Sequence, residues 1–174
     1  MSLGSLRDLM TDELRDLYSA EHQLVRLLPQ MARAASAPAL HLVLDRHLNQ
    51  TVHQALRLER IMLRQLNLDP RGRRCRGMEG LLVEARDVLE QTGADAVSDA
   101  ALVAVAQRIK HYEIAAYEAA LRYALILGRG DIADFLHQSL EEERATEQLL
   151  TELAEHEIDA VAAGVDYDRP ERAG

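Results

Sequence analysis

Leu14-Arg-Asp-Leu17-Tyr-Ser-Ala-Glu21-His-Gln-Leu24-Val-Arg-Leu-Leu28 decides how this sequence is read. Its leucines return at steps of three, four and seven, the repeat of one face of an α-helix. Glu21 lies on that face, four residues after Leu17 and three before Leu24. A carboxylate thus interrupts a row that is otherwise built to be buried. Working outward, the row extends back through Leu6, Leu9 and Met10 and forward to Met31. Ser36-Ala37-Pro38 then breaks it, with Ser a good N-cap and Pro suited to the next first turn.

The rest of the chain repeats the pattern. A second long helix is predicted through Leu40, Leu44, Leu48, Leu58, Ile61, Met62 and Leu66, ended by the turn residues Asp69-Pro70-Arg71-Gly72. A shorter helix follows over Met78 to Gln91. Ser98-Asp99 is read as the cap of a third long helix carrying Leu102, Val105, Ala106, Ile109, Ala116, Ala120 and Ala124. Gly128-Arg129-Gly130-Asp131 separates this from a fourth, from about Ile132 to past Leu153. Four long helices, with a short one in the connection between the second and third, predict an all-α, four-helix bundle with one extended crossover. Residues 1–160 are expected to form this bundle and 161–174 a frayed tail.

Composition agrees. With 174 residues, 48% apolar and 28% charged, the chain has enough material for one buried core. A net charge of −9 argues against a general nucleic-acid binder, which needs a basic surface. The basic run Arg71-Gly-Arg73-Arg74-Cys-Arg76 is read as a solvated connection. One cysteine, Cys75, excludes an internal disulfide and a cysteine-based zinc site. No apolar run approaches the roughly 20 residues of a membrane span, and the N-terminus starts polar. The cytoplasm is the expected location.

Acids recur on the apolar rows. Glu113 lies four after Ile109 and three before Ala116, and the fourth helix reads Leu136, Leu140, Glu143, Glu147, Leu150, Ala154. On the second helix, Val43, His47, Gln50, Gln54 and Ile61 form one row. An antiparallel bundle brings these mid-helix positions together. Unpaired carboxylates in a core are costly, and two divalent cations would balance Glu21, Glu113, Glu143 and Glu147. Bridging carboxylates suit iron and manganese. The competing reading makes each acid part of a solvated helix face.

Several blocks carry a family resemblance: Asp12-Glu-Leu-Arg-Asp-Leu-Tyr-Ser-Ala-Glu21-His-Gln-Leu, Cys75-Arg-Gly-Met-Glu-Gly-Leu-Leu, Gln107-Arg-Ile-Lys-His-Tyr-Glu-Ile-Ala-Ala-Tyr117 and Leu140-Glu-Glu-Glu-Arg-Ala-Thr-Glu. From about Leu6 to Ala154 the chain resembles the YciE/YciF family of ferritin-like bacterial proteins, DUF892. That resemblance implies a rubrerythrin-like bundle, a homodimer, a dinuclear metal centre and a stress-response role. Glu21, Glu113, Glu143 and Glu147 match its acidic positions. Asn49 and Gln50 stand where the family carries an acidic pair, and Lys110 stands where it carries an acid three before Glu113. Amides are poor charge donors and an ammonium repels a cation, while Lys110 at i−3 is placed to pair with Glu113.

Two functions follow, and a third, iron storage in a hollow cage, has no cage-forming surface in the sequence to support it. The first is a stress-response protein with an iron or manganese site that handles peroxide or oxygen. Its ligands would be Glu21, Glu113 and Glu143, with Glu147 and either His53 or Gln54 secondary and Gln50 a weakened position. The second is a metal-free dimeric scaffold in which Lys110, Gln50 and Asn49 replace the metal site. Tyr112 and Tyr117 are read as core tyrosines with satisfied hydroxyls. Cys75 opens the short helix in a basic loop that could lower its pKa for a redox role, but it is read as an inert thiol.

Overall fold

Ser5 starts the first helix: its Oγ accepts from the Asp8 backbone N–H at 3.1 Å, and Asp8 adds a negative charge to the first turn. The computed structural model describes residues 4–91, 93 and 95–164, and among these it has helices and no strand. The elements are α1 (Leu6–Ala34), α2 (Pro38–Arg60), α3 (Arg76–Gln91), α4 (Ala96–Ile126), α5 (Gly130–Leu153) and a short α6 (Asp159–Ala162). A π-helical turn closes α2 (Ile61–Gln65) and another closes α5 (Ala154–Ile158).

Two caps differ from expectation. Ser36 does not cap α2; the N-cap is Ala37, which has no side-chain oxygen to offer. Asp99 of α4 reaches across instead, accepting from the backbone N–H groups of Ser36 and Ala37 at 2.8 Å each and from the Ser36 hydroxyl. Because Asp99 is used there, Asp95 caps α4, accepting from the Ser98 N–H at 2.8 Å. At the α4–α5 turn Gly128 has φ +67°, and Arg129 N–H closes back on the Ala124 carbonyl at 2.9 Å. That left-handed residue is the reason for a glycine.

The apolar side chains form two compartments rather than one. One joins the N-terminal halves of α1 and α5 to the C-terminal halves of α2 and α4, through Met10, Leu14, Leu17, Leu58, Ala120 and Leu136. The other joins the opposite halves, through Leu24, Leu28, Leu44, Ile109 and Leu150, with Met78 and Leu82 of α3 covering it. Each of the four long helices therefore runs antiparallel to the long helices it packs against, in an up-down-down-up order. The α2–α4 connection travels the length of the bundle. It is tied down along α1: Arg73 pairs with Asp12 and donates to Asp16 Oδ1 at 2.8 Å, and Ser19 Oγ accepts from Cys75 N–H at 2.9 Å. The basic run is thus partly pinned, not wholly solvated. Helix continues through Ala162, two residues past the expected end of the bundle; residues 165–174 of the expected tail lie outside the described residues.

Candidate metal centre

Between the two apolar compartments lies a polar layer. Glu21 on α1, His47, Thr51 and Gln54 on α2, Lys110, Glu113 and Tyr117 on α4 and Glu143 on α5 all have 0% exposure. Each lies on its helix's buried row. On α2 that row is Leu40, Leu44, His47, Thr51, Gln54 and Leu58, so the polar residues occupy leucine positions for two turns.

Lys110 holds the centre. Its Nζ stands 2.7 Å from Glu113 Oε2 and also donates to Glu143 Oε2. Gln54 Nε2 donates to Glu143 Oε1 at 2.6 Å, and the Tyr117 hydroxyl donates to Glu21 Oε1 at 2.6 Å. What is left over is informative. Glu21 Oε2, both nitrogens of His47, Gln54 Oε1 and Thr51 Oγ1 have no hydrogen-bond partner, and neither oxygen of Glu113 has an aligned donor despite the ion pair with Lys110. His47 Nε2 faces Glu113 Oε2 at 3.7 Å.

The electrostatics follow from burial and charge count. Burial, with Glu113 and Glu143 nearby, holds the Glu21 carboxyl well above its usual range, against the pull of Tyr117 and Lys110. Burial and the Glu113 charge push Glu143 up to about 7, with Lys110 opposing. Burial and Lys110 hold the His47 imidazole well below its ordinary value, so it is neutral and has a lone pair to give. Burial alone would lower the Lys110 pKa, but Glu113 and Glu143 hold it above the ordinary value. Three carboxylates facing one ammonium leave two negative charges uncompensated when all are ionised. Two protons or one divalent cation restore neutrality.

The residues fit one such ion. Donor atoms of His47, Glu113 and Glu143 lie within 4.8 Å of one another. Around an ion with bonds of about 2.1 Å, ligand atoms stand roughly 3 to 4 Å apart, a small side-chain movement from this arrangement. Atoms on His47 and Glu113 without a hydrogen bond belong to this group, and Glu21, with a free Oε2, stands outside it. Lys110 Nζ already contacts two of these three side chains, Glu113 and Glu143, so an ion there would share them with the ammonium, which opposes a second ion.

Of the side chains expected as ligands, the structure brings together Glu21, Glu113 and Glu143, with Gln54, rather than His53, beside them. Gln50 is half-buried and accepts from Thr146 Oγ1 at 2.8 Å. Glu147 is partly exposed, accepting from Thr151 Oγ1 at 2.9 Å with His111 Nε2 at 3.8 Å. His53 is exposed, its Nδ1 2.7 Å from the Asn49 carbonyl, and Asn49 is exposed too. Glu147, Gln50 and His53 each sit one position off the buried row, where Thr146, Thr51 and Gln54 take the core places. His47 is the member that sequence reasoning did not place among the ligands. Its place on the α2 row was read from the sequence, and the leucines at 40, 44 and 58 fix that row as the buried one. At Cys75 the effect expected of the basic loop is reversed. Its thiol is fully buried, and burial together with a hydrogen bond involving Asp16 pushes its pKa up rather than down.

A four-helix bundle with one long crossover and a carboxylate layer at mid-core defines the ferritin-like class. Within that class the chain belongs to the DUF892 family, a domain of unknown function, whose profile matches residues 5–163. It is 40% identical over 162 residues to the Escherichia coli protein YciF, spanning 93% of this chain and 98% of that one. The crystal structure of the E. coli stress protein YciF superposes with a TM-score of 0.83 at 41% identity, over 87% of this chain and 95% of that one. YcfI of Rhodopseudomonas palustris gives 0.82 at 36% identity, over 87% and 96%. A Xanthomonas campestris protein at 21% identity shares the fold, with a TM-score of 0.72 over 92% and 98%. No helix is long and apolar enough to cross a membrane among the described residues.

Proposed function

We propose that this protein is a stress-response bundle whose core binds one divalent transition-metal ion, iron or manganese, on His47, Glu113 and Glu143 with Glu21 beside them. The observation that carries this reading is the buried group of His47, Glu113 and Glu143 donor atoms, with both His47 nitrogens and Glu21 Oε2 lacking any hydrogen bond, around two uncompensated charges. Lys110 supplies the positive charge that a second ion brings in a dinuclear site. The stress-response part rests on likeness to the E. coli stress protein YciF. A cytoplasmic homodimer belongs to the same reading, from the single cysteine and the family resemblance.

Each residue has a distinct part. Neutral His47 offers a nitrogen lone pair, and the two carboxylates supply the opposing charge. Tyr117 fixes Glu21 through its 2.6 Å hydrogen bond, and Gln54 fixes Glu143. The apolar compartments above and below keep water out, which strengthens every charge interaction inside. When bound, iron or manganese would supply redox and Lewis-acid chemistry toward peroxide or oxygen.

Metal analysis of protein purified without chelator tests the reading. About one ion per chain, with stabilisation on adding manganese(II) or iron(II) to stripped protein, is expected. No metal, and no loss of stability on chelation, overturns it. That outcome favours a metal-free helical scaffold, for which the Lys110 bridge between Glu113 and Glu143 is the specific support.

A further inference from the structure

The polar layer is sealed from solvent, yet it has a continuous polar connection to the surface on the α2–α5 seam. Glu142, next to buried Glu143, points outward with 23% of its side chain exposed. Gln54 Nε2 bridges the two acids, donating to Glu143 Oε1 at 2.6 Å and to Glu142 Oε2 at 3.2 Å. Arg57, one turn along α2 and 17% exposed, grips Glu142 with a two-pronged pair, Nη1 and Nη2 each at 2.7 Å, and also reaches Ser139. Above and below, the layer is bounded by the two leucine compartments, and the groove on the α1–α2 side is lined by Val25, Val52, Ala55 and Leu56 together with Tyr18, His22 and Glu59.

Gln54 is the informative member. Its amide is oriented by the two carboxylates, since turning it over would aim Oε1 at both of them. In the present arrangement Oε1 is fully buried and has no partner. A cation between Glu142 and Glu143 reverses the preference, because the amide oxygen then has a positive charge to face. We infer that the Glu142–Gln54–Glu143 relay, latched by Arg57, is the port through which a divalent cation reaches the buried site. Glu142 attracts the ion from solvent, Gln54 turns to pass its oxygen past it, and Glu143 receives it. Arg57 holds Glu142 closed until the ion competes for the carboxylate. This inference rests on the metal reading above, but it concerns rates where that reading concerns equilibrium.

The test uses full-length protein stripped of metal, with cobalt(II) as the probe and its visible absorption as the readout. Glu142→Gln keeps the shape and removes the charge. Uptake should slow about tenfold, the scale of local electrostatic attraction on an on-rate, while final stoichiometry and affinity stay within about twofold. Arg57→Lys keeps the charge and loses the fork, so the latch loosens and uptake should quicken several-fold. Arg144→Ala, at the exposed Arg144–Glu118 pair, should leave the rate unchanged. Wild-type uptake with unaltered rates in both Glu142→Gln and Arg57→Lys overturns the port and spares the metal site. No cobalt uptake by the wild type overturns both.

Discussion

Lys110 Nζ lies 2.7 Å from Glu113 Oε2, one turn further along the same helix, with both side chains fully buried. The same ammonium reaches Glu143 on α5, so a single side chain ties two helices and neutralises part of a three-carboxylate core. In a ferritin-like bundle that is the work of a metal ion, here done partly by the chain itself. A cation carried on a side chain cannot exchange with solvent, so the layer retains some charge balance whether or not an ion is bound.

Lys110→Met should therefore destabilise the metal-free protein sharply. It leaves the buried Glu113 and Glu143 facing each other without compensation, a change of about 3 to 5 kcal/mol. In a domain of this size that is a fall of roughly 10 °C in Tm. Thermal unfolding in chelator measures it. Adding manganese(II) should recover more stability in the variant than in the wild type, because the vacated place now favours a cation. A variant that melts with the wild type in chelator contradicts the assignment of Lys110 as an internal cation.

A pH profile of the chelated protein checks the carboxylates. Folded Glu143, pushed up to about 7, keeps a proton that the unfolded chain releases near 4.5. The folded state then binds more protons between those values, so stability falls as pH rises through that window and levels off above it. Glu21 acts in the same direction, and His47, held below 6.5, in the opposite one: it costs stability as pH falls through 6.5. The comparison that isolates Glu143 is wild type against Glu143→Gln. Relative to that variant, the wild type should lose on the order of 3 kcal/mol between pH 4.5 and 7 in denaturant titrations. Equal slopes would remove Glu143 as a buried, proton-holding group.

The fold was legible because the leucine rows are long and regular, and each loop carries its own stop signal. The site was legible where an acid fell squarely on such a row, as Glu21, Glu113 and Glu143 do. It blurred on α2, where the row passes through residues with no hydrophobic label. Counting from Val43 gives His47, Gln50 and Gln54, whereas counting from Leu40 and Leu44 gives His47, Thr51 and Gln54, so the two differ at Gln50 against Thr51. One residue is a rotation of about 100°, enough to move a side chain from the core to the rim. The α2 cap was beyond sequence reading, because its acceptor, Asp99, lies on another helix 62 residues further on.

Cys75 should behave as an inert thiol. It is fully buried, its Sγ lies 2.8 Å from the Tyr112 hydroxyl, and burial with Asp16 nearby raises its pKa. Since thiolate is the reactive form, a disulfide reagent should label it at least about a hundredfold more slowly in the folded protein than in denaturant. Tyr112 has a second role: it donates to Asp16 Oδ2 at 2.6 Å, and its ring leaves no room for a side chain at position 77. Rapid labelling of native protein would contradict the buried placement of this thiol.

Asp99 should prove one of the strongest polar contributors to stability. It accepts from two backbone N–H groups and a hydroxyl in the α1–α2 turn, and it is 2% exposed. Without it, the start of α2 has no side-chain cap, because Ala37 provides none. Asp99→Ala leaves two amide donors with no acceptor, at a cost of about 3 kcal/mol or roughly 10 °C in Tm. A double-mutant cycle with Ser36→Ala separates the hydroxyl from the amides. The hydroxyl should account for about 1 kcal/mol of coupling, and the remainder should persist in the Ser36→Ala background. If Ser36→Ala abolished the whole effect, the backbone bonds would carry nothing. The turn would then be held by the serine side chain alone.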